Sequence, residues 1–268
     1  MTTAKDIYVA PISSHDAREL VRRIHYSGKV ANNSQLHFGV FLDGKLEGAM
    51  QFGPSLDKRK MLGLVSGTGW NNFLELNRMA FSEALPRNSE SRALGVAFRL
   101  IRKHYPNIEW VVSFADGTQC GDGTIYRASG FMLTGIKSNN QIWQAPDGEI
   151  TTRMVATDTR RPQRGALLRR ISVTEKRNVL ETGASSMRPF IEAGWKPLQG
   201  FQLRYIYFLN PAASERLTVP ILPFSKIAEM GAGMYKGEKI SRMKEQELEY
   251  PSSLGGVTPT RTLQTSNK

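Results

Sequence analysis

The most constraining feature of this 268-residue sequence is a change of hydrophobic period between residues 73 and 105. Phe73–Phe81 alternates apolar and polar residues, the period of two that a half-buried strand requires. A polar turn follows, Pro86-Arg87-Asn88-Ser89-Glu90-Ser91, rich in residue types that cap helices. Leu94, Ala97, Phe98 and Ile101 then recur at helical spacing, which predicts a helix over 91–105, stopped by Pro106 and Asn107. A strand that feeds a helix through a short polar turn belongs to a layered α/β architecture.

The flanking sequence extends that pattern. Residues 7–12 read as a strand, and Ser13 or Ser14 caps a helix running to about residue 25, with Asp16 in its first turn. Ala17, Leu20, Val21 and Ile24 give that helix one apolar face. Residues 36–42 and 46–52 flank Asp43-Gly44, a hairpin signal. Residues 108–115 read as a buried strand, followed by a loop with Gly117, Gly121 and Gly123 and a short helix through Tyr126 and Ala128. Gly130-Phe131 returns the chain to a strand, and residues 142–144 and 151–155 flank Pro146-Asp147-Gly148 as a further hairpin. Beyond that point two helices are expected in an Arg-rich stretch, one more strand at 203–209, and an irregular segment docked on the core at 220–227. The expected division is a mixed α/β catalytic domain over 1–157, its strands mostly antiparallel and flanked by helices. A basic helical lobe follows over 158–235, then a polar, disordered tail over 236–268.

Charge narrows the partners. Thirty-six Lys and Arg face 24 Asp and Glu, a formal surplus of +12. Ten of the basic residues fall between 160 and 204, with few acids among them: Arg160, Arg161, Arg164, Arg169, Arg170, Lys176, Arg177, Arg188, Lys196 and Arg204. A clustered surplus favours a polyanion, because phosphate neutralisation releases counterions; a generally basic, soluble surface is the alternative. Double-stranded DNA is the expected partner, gripped by Arg160, Arg161, Arg164, Arg169, Arg170, Lys176 and Arg177. A single cysteine, Cys120, excludes an internal disulfide framework and a thiolate zinc cluster. No run reaches the roughly 18 apolar residues of a membrane helix, and the N-terminus lacks signal-peptide features, so a cytoplasmic protein is expected.

A strand, a polar turn and a helix N-terminus together form a phosphate-binding arrangement. In its order of elements, and in Tyr126-Arg127-Ala128-Ser129-Gly130-Phe131, the chain resembles GNAT acetyltransferases. The glycine-rich arm of that superfamily is replaced here by Asn88, Ser89, Glu90 and Ser91, which argues against ordinary coenzyme A binding. A more specific series is His25-Tyr26-Ser27, then Glu75-Leu76-Asn77-Arg78, then residues 86–92, then Ser113-Phe114-Ala115-Asp116, then 125–131. Arg204-Tyr205-Ile206-Tyr207 and residues 223–227 continue it. The whole series resembles the Mom family of phage DNA-modification proteins.

That resemblance implies conversion of adenine in double-stranded DNA to an N6-carbamoylmethyl derivative, which shields phage DNA from host restriction. It implies catalytic roles for His25, Tyr26, Asp116 and Tyr126, and donor binding by Arg78, Arg87, Ser89, Ser91 and Arg92. The product bonds N6 to a methylene, so simple acetyl transfer cannot make it. Either the methyl carbon of acetyl-CoA is activated, which calls for a redox metal such as iron with His25 and Asp116 as two ligands, or a glycyl donor such as glycyl-tRNA rearranges onto the base. Physically, His25 could merely complement a helix dipole, the tyrosines could be core aromatics, and Asp116 could cap its loop. Two other functions fit the residues: an acyltransferase for a small amine or protein, and a non-catalytic DNA-binding protein.

Overall fold

The computed structural model describes residues 2–118, 121–175, 185–235 and 238–239. The expectations for Cys120, Lys176, Arg177 and most of the 236–268 tail lie outside the described residues.

Seven strands build the main sheet. They are β1 (Tyr8–Pro11), β2 (Leu36–Leu42), β3 (Lys45–Gly53), β4 (Phe73–Phe81), β5 (Trp110–Asp116), β6 (Met132–Ser138) and β10 (Phe201–Phe208). Their order is β1-β2-β3-β4-β5-β10-β6. Every neighbouring pair is antiparallel except β4 and β5, which run parallel. This is the expected mixed α/β arrangement, a mostly antiparallel sheet flanked by helices.

Period-two alternation sends adjacent side chains to opposite faces, and each face finds its own cover. On β3, Met50 joins the core beneath α3 (Ser89–His104), where Leu94, Ala97, Phe98 and Ile101 meet Phe38 and Phe52. Its neighbour Ala49 faces the other way, against Ala17, Leu20 and Val21 of α1 (Ser14–Ile24). Further along that second face, Phe73 and Trp110 stack at 4.4 Å and 9° within a cluster that includes Met61 of α2 (Lys58–Leu62) and Ala213. α1 starts as its sequence predicts, with Ser13 Oγ accepting from the Asp16 N–H at 3.1 Å.

The chain between β6 and β10 makes a separate lobe. It holds the three-stranded sheet β8-β7-β9, formed by Ile150–Thr152, Ile142–Gln144 and Lys196–Pro197. Packed with it are α5 (Arg153–Thr157), α6 (Pro162–Glu175) and α7 (Arg188–Glu192), around a core of Val155, Leu168, Ile171, Phe190 and Trp195. β10 lies beyond residue 157 yet returns to the main sheet between β5 and β6. The strand expected over 151–155 ends at Thr152, because Thr152 Oγ1 accepts from the Val155 N–H and starts α5. The irregular segment at 220–227 does dock, through Leu222 N–H to the Leu133 carbonyl, and then winds into α8 (Ser225–Glu229). No helix among the described residues is long and apolar enough to cross a membrane.

Candidate active site

β4 and β5 are joined only at their beginnings, in the register Phe73↔Trp110, Leu74↔Val111 and Glu75↔Val112. Beyond that register β4 stays paired with β3 and β5 with β10, so the two parallel strands part and an opening widens towards their C-terminal ends. A bulge at Asn77 marks the start of the divergence, since Gln51 faces Arg78 while Phe52 faces Leu76. Ser113 Oγ, donating to the Leu76 carbonyl at 3.3 Å, is the tie at that point. Asp116 ends β5, and the head of α3 follows β4.

At that head Asn88 takes the left-handed conformation, φ 69°, which asparagine tolerates better than most residues. The two serines donate to carbonyls: Ser89 Oγ to Pro86 at 2.6 Å and Ser91 Oγ to Asn88 at 3.2 Å. Asn88 makes no side-chain cap; the Ser89 N–H donates to the Pro86 carbonyl at 3.1 Å, which leaves the next two N–H groups, of Glu90 and Ser91, to face an anion. Arg87 and Arg92 are both exposed, and the charge of Arg92 reaches Asp6, whose carboxyl is lowered mainly by hydrogen bonds from Thr3.

His25 lies just past α1, its ring against Tyr26 at 4.3 Å. Burial, helped by the charge of Arg78, holds its pKa down at about 4. Its Nδ1 accepts from the Ser27 backbone N–H at 3.2 Å and lies 2.8 Å from Ser27 Oγ. The ring is therefore neutral at ordinary pH with its proton on Nε2, poised to donate. Arg78 ties the loop after α1 to the sheet: Nε donates to the Lys29 carbonyl at 2.9 Å and Nη1 to the Asn77 carbonyl at 2.6 Å.

Asp116 is half-buried, with Oδ1 accepting from the Thr118 N–H at 3.0 Å. Tyr126 sits on α4 (Thr124–Ala128), its ring 5.1 Å from Tyr205 and 5.2 Å from Phe131. Gly123 makes that packing possible: at φ 80° a Cβ would stand 2.7 Å from the Tyr205 ring. Tyr26 is 55% exposed.

The sequence singled out His25 and Asp116 as metal ligands. Among the described residues no three His, Cys, Asp or Glu cluster as a metal site. His25 and Asp116 are two residues, short of the three protein ligands of a facial-triad iron site. The residues present do not fit an iron centre.

The Arg-rich stretch is not uniformly free. Arg160 and Arg161 bracket Asp158 at 3.1 and 3.2 Å. Arg164 is buried, with Nε donating to the Ala156 carbonyl at 2.9 Å, and Arg170 is paired with Asp147 and Glu149. Arg169 is exposed on α6.

Sequence reasoning gave no role to Glu75 or Lys29. Flanked by Leu74 and Leu76, Glu75 reads as the solvent-facing position of an amphipathic strand. In the fold it is half-buried, and that burial raises its carboxyl pKa against hydrogen bonds from Ser55 and Asn77 and the charge of Arg78.

Comparison with known proteins follows this geometry. Residues 6–226 match the Mom protein family. The methylcarbamoylase mom of Escherichia phage Mu is 36% identical over 220 residues, 81% of this chain and 82% of that protein. Solved structures similar in part include the ribosomal-protein-S18-alanine N-acetyltransferase of Escherichia coli, at 13% identity and a TM-score of 0.36 over 54% of this chain and 88% of that one. Arabidopsis thaliana NAA60 in complex with acetyl-CoA is another, at 14% identity and a TM-score of 0.38 over 49% and 90%. The match in sequence spans both the main sheet and the lobe, and on it this chain belongs to the Mom protein family.

Proposed function

We propose that this protein is an enzyme that converts adenine in double-stranded DNA to N6-carbamoylmethyladenine, acting in the cytoplasm of a bacterial host and protecting phage DNA from restriction. The observation that carries the reading is the parting of β4 and β5 in a chain related to a methylcarbamoylase. The opening has a carboxylate, Asp116, at the end of one strand and an uncapped helix head after the other.

The product sets the task. The N6–H bond must break, a bond from N6 to a methylene must form, and the far carbonyl must exchange its bond to the carrier for one to an amide nitrogen. N6 lies on the paired edge of adenine, so the base leaves the duplex to react. Asp116 accepts the N6 proton, and the Tyr126 hydroxyl supplies a proton to the departing part of the donor. His25, neutral and protonated on Nε2, donates a hydrogen bond towards the opening, and Tyr26 offers an aromatic face for the base. The donor is a glycyl ester on tRNA, whose phosphate the head of α3 receives: the carrier oxygen leaves with the proton from Tyr126, the glycyl nitrogen moves onto the carbonyl as the amide, and N6 takes its place on the methylene, so no oxidant is needed. We route no step through a metal. Arg160, Arg161 and Arg169 hold the DNA backbone from the lobe.

The test is to express the chain with a plasmid in a bacterial host, digest the plasmid and weigh its nucleosides. The expected result is a deoxyadenosine heavier by one carbamoylmethyl group in place of a hydrogen. Unmodified adenine alongside soluble, folded protein would favour an acyltransferase for another amine.

A further inference from the structure

The turn after Asp116 touches the chain that leaves the lobe. Residues 198–200 are all that separates β9, the last strand of the lobe, from β10 of the main sheet. Hydrogen bonds pin this short lead-in along its length. The Leu198 N–H donates to the Ile142 carbonyl at 2.9 Å, and the Gly200 carbonyl accepts from the Asn139 N–H at 2.7 Å. The Phe201 carbonyl accepts from the Gly117 N–H at 2.7 Å, and Gln202 then stands opposite Asp116 in the register of β5 and β10.

Two residues meet at this junction, and each explains the other. Gly200 is buried, and its φ lies outside the left-handed region, so its backbone does not call for glycine. A Cβ there would overlap the Thr118 hydroxyl and stand 2.6 Å from the Thr118 Cβ. The Thr118 side chain is what excludes one. Thr118 in turn is fully buried, and its Oγ1 has no hydrogen-bond partner among the described residues. A buried hydroxyl without a partner works against the fold, so the polarity of this side chain does not account for its presence. Its shape does. A β-branched side chain is stiff at χ1, and seated against Gly200 it holds the turn so that the Thr118 N–H donates to Asp116 Oδ1 at 3.0 Å.

We propose that Gly200 is a positioning residue for Asp116: the space left by its missing side chain seats Thr118 and so aims the Thr118 N–H at the carboxylate that takes the N6 proton. This deepens the DNA-modifying reading above and rests on it. Because the lead-in is held by its own hydrogen bonds, a side chain added at residue 200 displaces Thr118 before it displaces the strand. A proton acceptor misplaced by about 1 Å can lose about a hundredfold in rate. The contact also ties the lobe to the reaction centre, since Gly200 lies three residues beyond the end of β9.

The experiment compares wild type with Gly200→Ala, with Thr118→Val, and with the double variant Gly200→Ala/Thr118→Gly, which moves the side chain from one partner to the other. Each is scored for modified nucleoside in co-expressed plasmid, for melting temperature, and for hydrogen exchange of the amide at residue 118 against amides within β5. Gly200→Ala should lower the yield by at least about tenfold. Exchange at residue 118 should quicken, while the β5 amides stay as in wild type. Thr118→Val keeps the shape and the N–H but drops the hydroxyl, so it should match wild type in yield and exchange and melt no lower. The double variant should recover most of the yield lost in Gly200→Ala. Wild-type yield in Gly200→Ala, a lowered yield with unchanged exchange at residue 118, or exchange quickened equally throughout β5 would overturn the proposal while leaving the DNA-modifying function standing. So would a loss in Thr118→Val as deep as that in Gly200→Ala, which would make the hydroxyl the working group. If Gly200→Ala does not fold, the double variant decides: recovered yield supports the contact, and a folded protein without modified nucleoside overturns it. Absence of modified nucleoside from wild type itself would remove the functional reading and this role of Gly200 with it.

Discussion

At the scale of single residues, the site is tuned by burial and by backbone donors. The His25 ring is fixed by the Ser27 N–H, and its pKa of about 4 lies below the ordinary value of 6.5. A histidine depressed on folding stabilises the protein above its unfolded pKa, and that contribution is lost as pH falls from 6.5 towards 4. Its full size is on the order of 2–3 kcal/mol. Urea melts across that window should show the loss in wild type and a shallower decline in His25→Gln; parallel declines would contradict a buried neutral ring. Glu75 carries the opposite sign. Its carboxyl pKa is raised by burial, so ionisation at neutral pH works against the fold. Glu75→Gln should therefore melt no lower than wild type at pH 7, with any gain shrinking as the pH falls towards 4.5. A large fall in melting temperature would make Glu75 a structural residue.

At the scale of elements, α6 shows how an Arg-rich helix divides its labour. Arg164 turns inward to the Ala156 carbonyl, whereas Arg169 is exposed on the same helix. Arg164→Ala should cost about 1–3 kcal/mol, by leaving a buried carbonyl without its donor. Arg169→Ala should leave stability alone and reduce the salt slope of DNA binding by about one. Thermal melts and binding titrations across salt concentrations separate the two, and equal effects in both assays would contradict the assignment. The same helix marks the limit of what local pattern reveals. Both α1 and the hairpin of β2 and β3 were legible because their caps, turn and periodicity are local. α3 begins at Ser89 rather than Ser91 because Asn88 takes a left-handed turn that its residue type permits but does not announce. The place of β10 between β5 and β6 was not legible, since it rests on pairing across the whole lobe. For the same reason Arg164 and Arg169 look alike in sequence, and Glu75 looks exposed.

At the scale of the molecule, a surplus of +12 and a lobe set between the last two strands of the chain's main sheet put cations around one cleft. In the proposed reaction, long-range attraction brings duplex DNA to the face where β4 and β5 part, and the target base leaves the stack to react. The central claim is that Asp116, at the end of β5, takes the N6 proton there. Asp116→Asn tests it cleanly, because the amide oxygen can still accept from the Thr118 N–H and preserve the turn. Plasmid co-expressed with this variant should contain no modified deoxyadenosine, while the purified variant melts and binds duplex DNA as wild type does. Modified deoxyadenosine at the wild-type level in the Asp116→Asn plasmid would contradict the account and move the reaction centre elsewhere in the fold.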